Sequence, residues 1–303
     1  MQLMMGHMPR DRRIAAEMEL EGTERHSAWT LDEISFRAYP GDRVSAYLMV
    51  PHSLTGRTAA MLCLHQTTTA GKDEPAGLAG DHSLHYAQEL VQRGFVCLVP
   101  DYPGFGAYLS WDCAASPGRY GSEGTTLKGV LNHMAAIDLL ETLDCVGSCR
   151  IGCIGHSLGG HNGLFLAVFD ERVRATVSSC GFCSFATYHN GDFGNWSSGK
   201  YMPRIARLYN NSAADLPVDF GEMLAAIAPR PVFVSAPVGD TDFAVAGVKA
   251  CVQTASPRYR FFGKEQHLKV LYPRAGHEFP DQVRGHAYAF LEKHLVQRAA
   301  TVD

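Results

Sequence analysis

The sequence contains a serine, two aspartates and a histidine whose order suits nucleophilic catalysis. Ser157 lies in a Gly-His-Ser-Leu-Gly segment, and Asp240 and Asp242 lie in a later Gly-Asp-Thr-Asp segment. His277 follows in Ala-Gly-His, near the end of the chain. A serine hydroxyl is a weak nucleophile at neutral pH, so it needs a base that removes its proton and a third group that orients that base. The order therefore predicts a serine nucleophile, a histidine base and an aspartate that orients the base.

The elements around Ser157 indicate how that serine would be presented. Residues 150–154 form a short apolar run typical of a buried strand, and residues 160–169 carry apolar residues at helical spacing. A strand, a Gly-x-Ser-x-Gly turn and a helix make up the nucleophile elbow, in which glycines let the turn close. The alternative is a phosphate-binding turn, which would need Gly-x-Gly-x-x-Gly, and that pattern is absent here.

His277 is the histidine best placed to act as the base. It lies in a short loop between the last predicted strand, residues 268–272, and the terminal helix, residues 281–298. The chain has fourteen histidines, so most must have other roles, and His156 inside the elbow is predicted to be structural. Asp240 is preferred to Asp242 because a tight turn follows the preceding strand, whereas the second aspartate could cap the next helix.

Aromatic residues are concentrated in two segments that are predicted to lie near the serine. Residues 184–224 interrupt the alternation of strands and helices, which predicts a cap over the site with Trp196 or Tyr201 lining a pocket. Tyr102 follows a buried strand, at the sheet edge where α/β proteins bind ligands, and is predicted to line the same pocket. The alternative for the cap aromatics is that they fill a local core.

Several segments together resemble the α/β-hydrolase superfamily over about residues 30–298. They are Gly155-His156-Ser157-Leu158-Gly159-Gly160, Asp101-Tyr102-Pro103-Gly104-Phe105-Gly106, Asp240 and Ala275-Gly276-His277. Within it, His65-Gln66-Thr67 and Ala228-Pro229-Arg230-Pro231 resemble the branch of dienelactone hydrolases and acetyl xylan esterases. The resemblance implies an α/β-hydrolase fold, with a mostly parallel central sheet flanked by helices and a small cap insertion. It also implies acyl-enzyme chemistry that needs no metal and no organic cofactor.

The resemblance further implies an oxyanion hole and a class of substrate. The backbone N–H groups of Leu158 and Gln66 would hold the oxyanion, although a plain loop whose threonines cap the next helix is the alternative for Gln66. Dienelactone hydrolases use a cysteine nucleophile, so Ser157 argues for an ordinary ester. Gln66 replaces the usual glycine with a bulkier side chain. The expected substrate is a small-molecule ester with a short acyl group, an acetyl group on a sugar being one case.

The chain is expected to divide into an N-terminal arm, residues 1–30, and a hydrolase domain, residues 31–303, with the cap at about residues 184–224. Residues 13–20 of the arm are predicted to form a short helix that packs on the body or on a second subunit. A homo-oligomer is therefore left open, together with the natural ester and the acyl length.

The composition argues against several classes of partner. A net charge of −4 gives no sign of nucleic-acid binding, and no apolar run is long enough to span a membrane. Without a secretory signal, the nine cysteines are expected to be free thiols in the reducing cytoplasm. The close pairs Cys145/Cys149 and Cys180/Cys183 lack a second matching pair or the histidine spacing of a zinc site, so no metal site is expected, and a redox or metal role for Cys180 and Cys183 is disfavoured.

Three other functions are weighed against an esterase. A serine peptidase of the prolyl-oligopeptidase kind would carry a large gating domain, and residues 1–30 are too short for one. An acyltransferase would pass the acyl group to an alcohol or to coenzyme A rather than to water. A hydrolase-fold protein with only a binding role would be expected to lose a member of the triad, and all three members are present.

Overall fold

The computed structural model describes residues 1–8, 16–38, 42–54, 56–111 and 124–296. Nine strands form one sheet in these ranges. They are β1 (Met18–Arg25), β2 (Trp29–Ala38), β3 (Asp42–Pro51), β4 (Thr58–Leu64), β5 (Val96–Pro100), β6 (Val146–His156), β7 (Val173–Ser179), β8 (Val232–Ser235) and β9 (Leu268–Leu271). The α-helices are α1 (Gln2–Met5), α2 (Asp73–Ala76), α3 (Tyr86–Val91), α4 (Thr125–Thr142), α5 (Leu158–Phe169), α6 (Arg204–Tyr209), α7 (Phe220–Ile227), α8 (Val245–Phe261) and α9 (Asp281–Leu295).

The sheet is mostly parallel, as the sequence predicts. Its strand order is β1-β2-β3-β5-β4-β6-β7-β8-β9. The pairs β1–β2, β2–β3 and β3–β5 are antiparallel, and every pair from β5 to β9 is parallel. The carboxyl ends of the parallel strands therefore meet at one edge, where the loops that follow β4, β6, β7, β8 and β9 can combine into one site.

Helices cover both faces of the sheet. Apolar side chains of α3 and α9 form one core with one face, and those of α4, α5, α7 and α8 form a second core with the other face. The central strands β4 and β5 are almost wholly buried, which explains their unbroken apolar sequences. This packing holds the strand ends, and the loops that leave them, in fixed positions.

The N-terminal region differs from the sequence-based expectation. Residues 18–20, predicted to be helical, belong to strand β1, and residues 13–15 lie outside the described ranges. Strand β1 pairs with β2 at the edge of the sheet, so this part of the expected arm, residues 1–30, is built into the domain. Its side chains are mostly exposed, so the hydrogen bonds to β2 decide its conformation.

The segment between β7 and β8 includes the residues predicted to form a cap, and it is called the cap below. It contains short helical turns and the helix α6, and it ends where α7 begins at Phe220. Asp219 caps α7 through a capping box with Glu222, and the Asp219 carboxylate also accepts hydrogen bonds from the Ser184 hydroxyl and the Phe185 N–H. These hydrogen bonds join the start of the segment to its end.

Candidate active site

Ser157 lies in a strained turn between β6 and α5. Its φ of 50° and ψ of −116° lie in a region that residues with a side chain rarely adopt. A Cβ atom on Gly159 would lie 2.0 Å from the Leu64 carbonyl oxygen, and one on Gly155 would lie 2.3 Å from the Gly159 carbonyl carbon. The Gly-x-Ser-x-Gly sequence is therefore required here by close backbone approach, and the structure has the predicted elbow.

His277 and Asp240 form a hydrogen-bonded pair beside this elbow. Both carboxylate oxygens of Asp240 lie 3.0 Å from His277 Nδ1, whereas the nearest Asp242 oxygen lies 3.9 Å from it. The Asp240 carboxylate also accepts the backbone N–H groups of Asp242 and Phe243, at 2.9 and 3.0 Å. Its side chain is 1% exposed and that of Asp242 is 53% exposed. The geometry therefore favours Asp240 as the residue that orients the histidine.

The electrostatics of the pair suit a base that must hold a proton briefly. Burial by itself would lower the pKa of His277, but the hydrogen bond to Asp240 and the charge of that carboxylate outweigh burial and raise it. Burial by itself would raise the pKa of Asp240, but His277 and two backbone N–H groups lower it instead. The aspartate is therefore ionised at neutral pH and would stabilise a protonated His277 ring.

A buried histidine fixes the loop that follows β4. His65 Nε2 lies 2.9 Å from the Tyr102 N–H, which can only donate, so Nε2 accepts and Nδ1 carries the proton. Nδ1 then donates to the Gln66 carbonyl at 2.6 Å. Burial lowers the pKa of His65, which keeps its ring neutral for this bridge. The Gln66 side chain is held separately, by donating from Nε2 to Glu74 Oε1 at 3.1 Å.

A buried ion pair anchors the same loop to the turn after β5. Lys72 Nζ lies 3.2 Å from Asp101 Oδ2, and both side chains are almost fully buried. The Asp101 carboxylate also accepts the backbone N–H groups of Lys72 and Ala107. Because breaking such a pair would leave an uncompensated buried charge, it holds the two loops together.

The backbone N–H groups of Leu158 and Gln66 were predicted to form the oxyanion hole. Within the described part of the chain, neither the Leu158 N–H nor the Gln66 N–H donates to another protein group. The Leu158 N–H belongs to the first residue of α5, where the helix dipole favours negative charge. These donors are available to a developing oxyanion.

Most of the predicted site residues line one cavity of about 330 Å³. The residues around it are Gln66, Thr67, Ser157, Leu158, His161, Tyr188, His189, Asn195, Trp196, Tyr201, Asp242, Phe243 and His277. The cap supplies one wall and the loop after β4 another, and they meet where Tyr201 Oη lies 3.1 Å from Thr67 Oγ1. Ser157 and His277 are not joined by a direct hydrogen bond, as is common before substrate binds.

Tyr102 does not line this cavity, contrary to the prediction from its place at the sheet edge. It is 3% exposed, and its ring packs against Gly129 of α4, where a Cβ would lie 2.3 Å from Tyr102 Cε2. The turn after β5 points this ring into the interior, behind the wall formed by Leu158. Its contribution to the site is the backbone N–H that holds His65.

Sequence reasoning missed several residues of the cavity wall, notably His161 and Asn195. His161 lies four residues after Ser157 on α5, so the two share one helix face. The four-residue spacing could have indicated that His161 lies near Ser157, but the apolar sequence around His161 is equally typical of a helix packed in the core. Its ring lies 4.7 Å from that of Trp196, centroid to centroid, which joins the elbow helix to the cap.

Comparison with known proteins agrees with this fold. A model of the dienelactone hydrolase family matches residues 72–195, a segment that includes Ser157. The match covers 124 of the 303 residues, so it shows a likeness to that family over this segment. YtaP of Bacillus subtilis (strain 168), which is named as a hydrolase, is 24% identical over 311 residues, and the match covers 96% of each chain.

Two solved structures share the fold of this chain. A glucuronoyl esterase from Teredinibacter turnerae T7901 has a TM-score of 0.73 at 18% identity, covering 96% of this chain and 82% of that one. Acetyl xylan esterase 1 from Thermoanaerobacterium sp. JW/SL YS485 has a TM-score of 0.66 at 18% identity, covering 94% of this chain and 89% of that one. The predicted fold is confirmed, and the family match supports the predicted class of carboxylic-ester hydrolase. Among the helices described, none is long and apolar enough to cross a membrane.

Proposed function

We propose that this α/β-hydrolase is a serine carboxylesterase whose triad is Ser157, His277 and Asp240. The observation that carries the proposal is that Ser157, at a strained elbow, opens on the same cavity as His277, whose other ring nitrogen is hydrogen-bonded to the buried Asp240. Nucleophile, base and orienting carboxylate need this arrangement in a serine hydrolase.

The first half of the reaction forms an acyl-enzyme. Ser157 Oγ attacks the ester carbonyl carbon while its proton passes to His277 Nε2, and Asp240 stabilises the imidazolium that results. The carbonyl oxygen becomes an oxyanion that accepts hydrogen bonds from the N–H groups of Leu158 and Gln66. The tetrahedral intermediate then breaks the bond to the alcohol oxygen, which leaves with the proton from His277.

The second half returns the enzyme to its starting state. A water molecule attacks the acyl-enzyme carbonyl while His277 takes one of its protons, and the same two N–H groups hold the second oxyanion. Collapse of this intermediate breaks the bond to Ser157 Oγ, which regains its proton from His277. The products are a carboxylic acid and an alcohol, and the chain's own residues suffice for each step.

The size of the cavity supports a short acyl group. At about 330 Å³ it lies near the lower end of the range for small-molecule sites, and aromatic cap residues such as Trp196 and Tyr201 form part of its wall. The two fold neighbours are named for esters of carbohydrates, a glucuronoyl and an acetyl xylan ester. We therefore propose a short-chain ester of a carbohydrate, such as an acetyl ester, as the substrate.

The test is hydrolysis of p-nitrophenyl esters from acetate to palmitate by the wild type and by Ser157→Ala. We expect the highest kcat/KM at acetate or butyrate and a fall in kcat of about 10⁵-fold or more in the variant, since the remaining groups cannot form an acyl-enzyme. A fluorophosphonate probe should label the wild type and not the variant. Wild-type rates in Ser157→Ala, with the fold intact by circular dichroism, would refute the assignment.

A further inference from the structure

Three side chains with metal-binding atoms converge at the edge of the proposed active site, and one of them is the proposed base. His156 is the last residue of β6, Cys180 is the first residue after β7, and His277 lies in the loop after β9. One ligand atom from each lies within 4.8 Å of the other two. The rings of His156 and His277 are in edge contact, with centroids 4.9 Å apart. These three residues are called the His-Cys-His cluster below.

We propose that the His-Cys-His cluster is an inhibitory site for a soft divalent metal ion, with Zn²⁺ as the probe ion. Two imidazoles and a thiolate are a donor set that zinc accepts in proteins, and a thiolate selects against hard ions such as Mg²⁺ and Ca²⁺. Binding of the metal stands independently of the enzyme's activity. Inhibition rests on the proposed function, because it requires His277 to be the base.

The geometry needs only a modest contraction to hold zinc. With Zn–N distances of about 2.0–2.1 Å and a Zn–S distance of about 2.3 Å, the ligand atoms of a tetrahedral site lie roughly 3.4–3.6 Å apart. The cluster spans up to 4.8 Å, so its atoms must approach one another by about 1 Å. His277 is the partner most able to move, since its side chain is 22% exposed while Cys180 and His156 are buried.

The hydrogen bonds of the cluster show which atoms could bind a metal. His156 Nδ1 lies 3.1 Å from Ser179 Oγ, which leaves Nε2 for a metal. The Cys180 thiol donates to the Glu278 carbonyl at 3.3 Å, so it carries a proton that a metal would displace. Coordination breaks that S–H bond, forms the Zn–S bond and releases the proton to solvent.

Coordination of His277 would stop catalysis through either ring nitrogen. A metal on Nε2 occupies the atom that must take the proton of Ser157. A metal on Nδ1 displaces the hydrogen bond to Asp240 and so removes the group that orients the ring. In both cases His277 can no longer accept the proton of Ser157, and a chelator that removes the metal should restore this ability.

Binding can be measured without any substrate, by titrating the full chain with Co²⁺ and recording the near-ultraviolet charge-transfer band of a thiolate bound to cobalt. The wild type should develop this band at one Co²⁺ per chain, and Zn²⁺ should displace it. Cys180→Ser should lose the band and weaken Zn²⁺ binding by at least about 100-fold, since loss of a ligand costs more than loss of a supporting hydrogen bond. Cys183→Ser, a buried thiol three residues away, is the matched control and should keep the band.

Activity provides the second measurement. Zn²⁺ should abolish both p-nitrophenyl butyrate hydrolysis and fluorophosphonate labelling of Ser157 in the wild type, and EDTA should restore both. Cys180→Ser should need about 100-fold more Zn²⁺ for the same inhibition. If Cys180→Ser does not fold, His156→Gln should lose the same affinity.

The outcomes separate the two proposals. An active wild type with no cobalt band, or a band of equal strength in Cys180→Ser, would overturn the metal site alone. A cobalt band in a chain that hydrolyses no ester and is not labelled by the probe would overturn the proposed function and leave the metal site standing.

Discussion

Replacing Asp240 by asparagine is the sharpest test of the proposed triad, because Asp242 provides a matched control two residues away. Asparagine has the same shape, but its NH₂ group would face His277 Nδ1, which now donates to the carboxylate at 3.0 Å. The ring would then be driven to the tautomer that presents N–H, and not a lone pair, to Ser157. In serine hydrolases this change lowers kcat by about 10⁴-fold, equivalent to about 5 kcal/mol.

Asp242→Asn should behave quite differently. Its carboxylate lies 3.9 Å from His277 Nδ1 and its side chain is 53% exposed, so its attraction for the imidazolium is that of a surface pair, about 0–1 kcal/mol. That magnitude allows at most about a five-fold loss of kcat. The two variants should therefore differ by about 10³-fold in kcat.

The assay is kcat/KM for p-nitrophenyl butyrate between pH 5 and pH 9. In the wild type the rate should fall as pH drops through the pKa of His277, because the protonated ring cannot act as a base. Asp240 raises that pKa, so the residual activity of Asp240→Asn should have its acid limb at lower pH. Equal losses in the two variants, or a larger loss in Asp242→Asn, would refute the assignment of Asp240.

Two further predictions concern stability and the elbow. Burial lowers the pKa of His133, His156 and His161 to about 3, so below pH 6.5 the unfolded chain binds three protons that the native chain does not. These three histidines should therefore lower the free energy of unfolding by about 4 kcal/mol as the pH falls from 7.5 to 5.5. Urea unfolding that shows no such loss would contradict the burial argument. Gly159→Ala should disrupt the elbow and lower activity by at least about 100-fold, because its Cβ would meet the carbonyl oxygen that ends β4 at 2.0 Å. Gly285→Ala, in a helix with open space around it, is the control, and equal activity in the two would refute the steric account.

Local sequence signals explain what could be predicted about the site. The elbow depends on residues adjacent in sequence, because the glycines around Ser157 are needed for contacts within a single strand, turn and helix. The position of Asp240 could also be predicted from local sequence, because Asp240 lies in the tight turn that directly follows β8. Trp196 and Tyr201 were predicted either to line a pocket or to fill a core, and the structure gives Trp196 both roles, since it lines the cavity and packs on Phe185.

The remaining features depend on contacts that sequence patterns do not reveal. Strand β1 has no clear alternation of apolar residues, and it is a strand because β2 offers it an edge to pair with. The inward turn of the Tyr102 ring depends on the missing side chain of Gly129, which lies in another element. The bridge made by His65 likewise joins two loops that are distant in sequence. Each of these requires the fold before it can be recognised.

Apart from the exposed His189, three histidines lie around the elbow and its cavity, and burial separates the proposed base from the other two. His156 and His161 have a pKa of about 3, so at either one an imidazolium costs about 5 kcal/mol more than in water. Neither could take the serine proton at neutral pH without adding that cost to the barrier. His277 is also partly buried, but Asp240 more than offsets the burial and raises its pKa. In the proposed mechanism the proton of Ser157 therefore passes to His277, whose ring contacts the buried carboxylate of Asp240.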